Sequence, residues 1–421
     1  MNRSSEVLRL PAFALFWTAA TIRMFGSTIA GVAIQVLIVT VLNSTPVEIS
    51  ILSALGVVPY LFLGLIVGAL MDRWPRQRTL VITSVGRAIA LGSIAVLFLL
   101  DALTFWSLAA VILTLGVLTL FADSAAQPFL PHVVPRSSLV MANARLGQSE
   151  TVAGTAGPAL GGALLNVLGA PILFAFDAVI NAVSAVLQSR IKVEETPSKR
   201  RARGRHIGHD IVEGMHYTYR HRTLRPLALS VHIWFLGNSI VVTVFAVFVL
   251  RELEFPPWAF GVTLAFGGLG GFLGALLAPR TGDRLGAGRA ILLGRALVIL
   301  PWLALAVMPL DASTDLGVLL TVISAAQFVY GLSMGIEDAN DTGYRQAVAP
   351  DAIQGRMNST IRTANRVIFF FGALLAGLLA TFLGYYLTIG IAAIIFAIAA
   401  LVVALSPLRN ARHDDAADRQ L

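Results

Sequence analysis

The sequence predicts an all-α membrane protein: twelve transmembrane helices arranged as two pseudo-symmetric six-helix bundles. Three observations carry that expectation. The 421 residues are 57% hydrophobic and only 13% charged, with a mean hydropathy of +0.79, whereas soluble domains carry roughly 25% charged residues. About twelve apolar runs, each near the roughly 20 residues that cross a bilayer, alternate with short polar breaks. The two halves of the chain also echo one another.

The runs fall at 12–42, 48–71, 79–100, 104–127, 147–169, 171–191, 226–250, 258–279, 288–309, 315–340, 361–383 and 385–406. Gly and Pro are frequent inside them, as in membrane helices and unlike soluble ones. The first run is too long for a signal peptide and leads into no cleavage site. Cysteine is absent, so disulfides, thiol chemistry and thiolate metal sites are not expected. The expected layout is a bundle over 1–191, a linker over 192–225, a second bundle over 226–408 and a tail over 409–421.

The cations set the orientation. With the N-terminus inside, the inner loops hold Arg73, Arg76 and Arg78; Arg136; Lys199, Arg200, Arg201, Arg203 and Arg205; Arg280, Arg284 and Arg289; Arg345 and Arg356; and Arg409, Arg412 and Arg419. The outer loops Asn43–Glu48 and Asp311–Asp315 hold no Lys or Arg, and Arg251, the one outer exception, is followed closely by Glu252 and Glu254. This asymmetry predicts an even number of spans with both termini in the cytoplasm, in the inner membrane of the cell. The net charge of +8 is therefore a topology signal, and its spread over loops argues against a nucleic-acid partner.

The repeat is degenerate but spaced. Asp72-Arg73 matches Asp283-Arg284, and each pair is followed about a dozen residues later by an arginine, Arg87 or Arg295. Asp123, Pro135 and Asn143 recur at the same intervals as Asp338, Pro350 and Asn358. A half-chain repeat with a basic linker is the pattern of a two-bundle secondary transporter.

Between the second and third spans runs Gly68-Ala-Leu-Met-Asp-Arg-Trp-Pro-Arg-Gln-Arg78. Gly68 permits close helix approach, Asp72 supplies an anion, and Arg73, Arg76 and Arg78 supply cations on one membrane face. The pattern G-x-L-x-D-R-x-x-R-x-R resembles the loop 2–3 signature of the major facilitator superfamily, departing from it at Pro75, where Gly is usual. The bland alternative is a basic loop that only sets topology. The resemblance implies a latch: Asp72 rests against the eleventh span, whose N-terminus near Ser359 favours an anion, with Arg362 one turn further in.

The stretch Asp210–Leu224, with Pro135–Ala144 and Arg345–Asn358, is similar to a branch of that superfamily that contains macrolide-efflux proteins and the enterobactin exporter. Its linker, from Ile207 to Leu224, is expected as an amphipathic helix on the inner membrane surface, with Ile207, Ile211, Val212, Met215 and Tyr219 near helical spacing and its arginines toward lipid phosphates. In the fifth span, Gly154, Gly157, Pro158, Gly161 and Gly162 resemble the antiporter motif of drug–proton exchangers; generic close packing uses the same small residues.

Ionisable groups inside a span are costly and are functional candidates. Arg23 lies roughly 16 Å into the first span at 1.5 Å per residue, either attracting an anionic substrate group or making a structural pair. The resembling branch often has an acid near this point, whereas this chain has Gly26 and Ser27. Asp123 and Asp338 near inner helix ends suit gating, Glu337 adjoins Asp338, and Glu150 and Asp177 suit either pairing or proton carriage. Trp234 and Asn238 are further cavity candidates. No Walker loop is present, the histidines lack metal spacing, and no cofactor or metal is expected. The function expected is proton-coupled efflux of an amphiphilic small molecule by a monomer in contact with membrane lipids, and not an enzyme. A lipid or lysophospholipid flippase, an importer of a nutrient or siderophore, and a non-transporting receptor are the alternatives.

Overall fold

A computed structural model describes residues 7–71, 74–193, 207–308 and 310–412. Those residues form helices joined by short turns, with no β-strand among them. Ten of the helices are long and apolar enough to cross a membrane. The chain divides into two compact units. The first comprises Met1–Ser44, Leu55–Arg201 and Pro256–Ala265; the second comprises Thr45–Ala54, Ala202–Phe255 and Phe266–Leu421.

In the first unit, α1 (Pro11–Val36) begins on a proline, whose missing N–H falls where a helix has no internal partner for it. It is followed by α3 (Val58–Phe62), α4 (Gly64–Met71), α5 (Arg76–Leu99), α6 (Phe105–Val133), α7 (Leu139–Leu168) and α8 (Ala170–Ser189), α2 (Pro46–Leu55) belonging to the second unit. Thr104 and Ser107 close a capping box at the start of α6, satisfying N–H groups that the first turn leaves over. Helix α1 packs on α7 and α8, and α5 packs on α6 and α8. One end of the bundle is filled by Phe13, Phe16, Phe129 and Leu130, with the Phe16 and Phe129 rings 5.7 Å apart.

The second unit holds α9 (Ile207–Arg220), α10 (Leu224–Val247), most of α11 (Pro257–Leu285), α12 (Ala287–Leu297), α13 (Ile299–Val307), α14 (Leu316–Val348) and α15 (Asp351–Ala404). Helix α15 is the hub, packing on α9, α10, α12 and α13. Aspartate 315 caps α14 by accepting from the Gly317 and Val318 N–H groups.

The repeat is visible in the backbone. α1 ends in a turn of π-helix over Leu37–Val41 and α10 in one over Phe248–Glu252. Each is closed by a residue at positive φ, Asn43 at 46° and Glu254 at 51°. The same interval in sequence separates Leu37 from Phe248, Asn43 from Glu254, and Asp72 from Asp283.

One expected span is corrected. The run 48–71 is not one helix but α2, α3 and α4. Pro59 has no N–H to give to Leu55, so the ladder cannot continue through it. The expected break between the runs 361–383 and 385–406 is present at Gly384, whose φ of 79° and ψ of 170° are non-helical and divide α15 into two rods. The linker helix α9 turns one face toward α15. Thr218 is fully buried, while Val212 and Met215, expected on the apolar face, are exposed. The Gly214 backbone lies against Arg356 and Thr360 of α15, and the Tyr217 hydroxyl donates to the Val348 carbonyl at 3.2 Å.

Candidate functional site

Each unit buries its own set of charged side chains. In the first, Asp177 on α8 is 1% exposed. Asn181, one turn on, donates to Asp177 Oδ1 at 3.0 Å, and Asp177 Oδ2 accepts no hydrogen bond among the described residues. Arg87 on α5 is also buried. It donates from Nε to Asn181 Oδ1 at 3.2 Å and from Nη1 to Thr119 Oγ1 at 2.6 Å. Arg87 lies in the field of Arg23, Asp177 and Asp123. Opposite Asp177 is Gly26 of α1, where a Cβ would collide with Asp177 Oδ1. The bare glycine therefore seats a carboxylate of α8 against the α1 backbone.

Beside this set is a cavity of about 250 Å³ lined by Arg23, Arg87, Glu150, Gln127, Phe16 and Met24, among others. Its wall combines charge, amide and apolar surface, as small-molecule pockets do. Arg23 makes no hydrogen bond or ion pair among the described residues. Glu150 is exposed at the cavity. Asp123 is exposed and accepts from the Tyr60 hydroxyl at 3.0 Å.

In the second unit Arg295 of α12 is fully buried. Its Nη2 stands 2.8 Å from Glu337 Oε1 on α14, and its Cζ lies 5.4 Å from the centroid of the Trp234 ring. A guanidinium over an indole face gains electrostatic attraction as well as contact. One turn along α14, Asp341 is paired with Arg345 at 2.9 Å, and Arg345 donates to Asn358 at 3.1 Å. Glu337 faces this interior while its neighbour Asp338 is exposed. Asn238 accepts from the Tyr330 hydroxyl at 2.5 Å.

The linker joins this unit through a relay. The Tyr219 hydroxyl is 2.7 Å from His232 Nε2, and His232 Nδ1 is 2.7 Å from Asn365 Oδ1. With Asn365 presenting its oxygen, the imidazole carries its proton on Nδ1 and accepts from Tyr219 on Nε2. Burial pushes the Tyr219 phenol above its ordinary value, which keeps it a donor. Glu213 and Arg356 form an ion pair alongside.

The glycine-rich motif of α7 makes three close approaches. Gly157 lies against Thr28, Gly161 against the Ile29 backbone, and Gly162 against Gly261 in the first turns of α11. The Pro158 carbonyl oxygen also faces Gly261, whereas a methyl at Gly154 would meet nothing within 4 Å. A methyl at Gly68 would likewise meet nothing, so the close approach expected there is not made. Of the rest of the signature loop, Asp72 and Arg73 lie outside the described residues. Arg76 stands 2.8 Å from His132 Nε2, and Arg78 is exposed. Asp283, Arg284 and Arg362 are exposed.

Sequence reasoning singled out Asp177, Glu337 and Arg87 but not Asn181, Asp341 and Thr119 as their companions. A signal was present for two of them. Asp177/Asn181 and Asp341/Arg345 stand four apart, the spacing at which helix neighbours meet.

Helices of this length and apolarity, ten of them among the described residues, define a multi-pass membrane protein. Residues 4–420 match the family described as transmembrane secretion effector, and the chain belongs to that family of the major facilitator superfamily. That family is one of multi-pass membrane transporters and not of enzymes. A stretch of 133 residues is 32% identical to uncharacterized MFS-type transporters of Mycobacterium bovis and Mycobacterium tuberculosis. That stretch is 30% of this chain and spans 30% of the length of those relatives. Among solved structures, the nucleoside transporter NupG aligns with a TM-score of 0.75 at 12% identity, covering 94% of this chain and 99% of that one. A bacterial homologue of the iron transporter ferroportin aligns at 0.71 and 16%, covering 94% and 98%. A bacterial homologue of the lysosomal transporter Spinster aligns at 0.69 and 14%, covering 97% and 98%. At these identities the likeness establishes the major facilitator fold.

Proposed function

We propose that the protein is a proton-coupled exporter of an amphiphilic small molecule, working as a monomer by alternating access in the inner membrane with both termini in the cytoplasm. The observation that carries this is the seating of Asp177. The resembling efflux branch often places an acid in the first span; this chain has Gly26 there, and α8 brings a buried carboxylate into the space that Gly26 leaves. A carboxylate buried within a membrane span is costly unless it is paired or used. Arg87 shares a hydrogen-bonding network with it through Asn181 and also lines the cavity. Protonation of Asp177 therefore alters the field on a cavity wall, which couples a proton to a guest. The cavity's apolar side chains and its Arg23 and Glu150 suit a guest with both a hydrophobic body and polar groups.

Proteoliposomes with an imposed pH gradient, supplied in turn with cationic, neutral and anionic amphiphiles, test this. Gradient-driven movement of at least one amphiphile out of the cytoplasmic side is expected. Movement of a fluorescent lysophospholipid alone would make the protein a lipid flippase, and movement in the opposite sense would make it an importer.

A further inference from the structure

A polar cavity of about 550 Å³ lies where α11 turns into α12, lined by Gly282, Asp283, Arg284, Leu285, Gly286, Arg289, Asn410 and Arg412. The turn is a single residue, Gly286, at φ 84°. That conformation disfavours side chains with a Cβ, and it brings Arg284 and Arg289 onto one short corner. The third arginine comes from the far end of the described chain. A short 3-10 helix, Pro407–Asn410, follows α15, with Leu408 fully buried and Ala411 3% exposed. The Gly288 N–H donates to the Ala411 carbonyl at 3.0 Å, which fixes the backbone beside Arg412.

We infer that this cavity binds the phosphate headgroup of an acidic phospholipid. Three arginines and one aspartate line it, an excess of positive charge in a concave site of the size that holds small ligands. Guanidinium groups grip phosphate oxygens in pairs and are weakly hydrated, so they release water readily to such a partner. The corner joins the ends of two helices long and apolar enough to cross a membrane, Pro257–Leu285 and Ala287–Val307, and the ends of such helices emerge among headgroups. Leu285, 42% exposed on the same lining, adds the apolar contact that a glycerolipid satisfies and inorganic phosphate does not. The distribution of cations places this corner on the cytoplasmic side, where acidic lipids draw basic clusters. Sequence spacing singles out Asp283 and Arg284 only as the echo of Asp72 and Arg73; here they have a role of their own.

The test is native mass spectrometry of the purified full chain with phosphatidylglycerol, phosphatidylcholine or inorganic phosphate. It is repeated for the double variant Arg284→Gln/Arg289→Gln and for Arg409→Gln, which removes a nearby exposed charge outside the cavity lining. The native chain is expected to retain phosphatidylglycerol over phosphatidylcholine. Each cavity arginine is worth about fivefold in binding, so the double variant should bind about twenty-fivefold more weakly, with an unchanged melting midpoint. Arg409→Gln should bind as the native chain does. Equal retention of both lipids, equal loss in Arg409→Gln, or displacement of the lipid by millimolar phosphate would overturn the inference. The measurement involves no transport, so it stands or falls apart from the proposed export.

Discussion

The carboxylate of Asp177 occupies the space that a side chain on Gly26 would need. The two residues sit on α8 and α1, far apart in sequence, and the pairing works in one direction only: the glycine must stay bare for the acid to reach the α1 backbone. Gly26→Ala is therefore expected to displace the carboxylate. The tip of Asp177 can swing, so the stability cost should stay at the low end for overpacking, about 1 kcal/mol. Transport should fall by more than the loss of folded protein explains. Thermal unfolding in detergent and transport at equal protein level check both parts.

The Arg295–Glu337 pair is expected to matter to the fold itself. Removing one partner of a buried pair leaves an uncompensated charge and costs about 3–5 kcal/mol. Glu337→Leu should lower the melting midpoint sharply. The double variant Arg295→Met/Glu337→Leu should recover much of the loss. A double-mutant cycle reads the coupling directly, and additive losses would count against the pair.

The close approach of Gly162 to Gly261 leaves no room for side chains. Gly261→Val is expected to force the two backbones apart, at a cost of about 1–3 kcal/mol or more. Gly154→Val, on the same helix but facing open space, should be tolerated. Membrane yield and melting midpoint of the two variants separate a packing motif from a mere run of small residues.

Docking of the linker helix should depend on its relay more than on its ion pair. Glu213 and Arg356 are partly exposed, and such pairs contribute roughly 0–1 kcal/mol. Glu213→Gln should leave protease resistance of the linker near native. His232→Leu removes the group that joins Tyr219 to Asn365 and should expose the linker to cleavage. Limited proteolysis compares them.

The fold was legible because hydropathy and cation placement are local signals. Apolar runs and Arg-rich loops can be read without knowing what touches what. Where a local cue opposed the average, hydropathy misled: the run 48–71 is apolar on average, yet Pro59 breaks it. The site was legible only in part. The cost of burying a charge in a span marked Asp177, Arg23 and Glu337. Which of Glu337 and Asp338 turns inward depends on the rotation of α14 about its axis, and the low contrast between its faces does not reveal it. Partners such as Thr119 for Arg87, or Asn365 for His232, lie across helix pairs far apart in sequence and become visible only with packing. The Arg-rich corner at Gly286 was hidden for the same reason, since Arg412 arrives from the other end of the chain.

The most direct measurement compares native protein with Asp177→Asn in proteoliposomes, using an amphiphile that the native protein moves. Two modes are read: accumulation driven by a pH gradient, and exchange of labelled for unlabelled substrate with no gradient. Asp177→Asn keeps the shape of the side chain and removes its ability to bind and release a proton. Loss of gradient-driven accumulation with retained exchange is the expected result. Undiminished gradient-driven accumulation at equal protein level would contradict a proton path through Asp177.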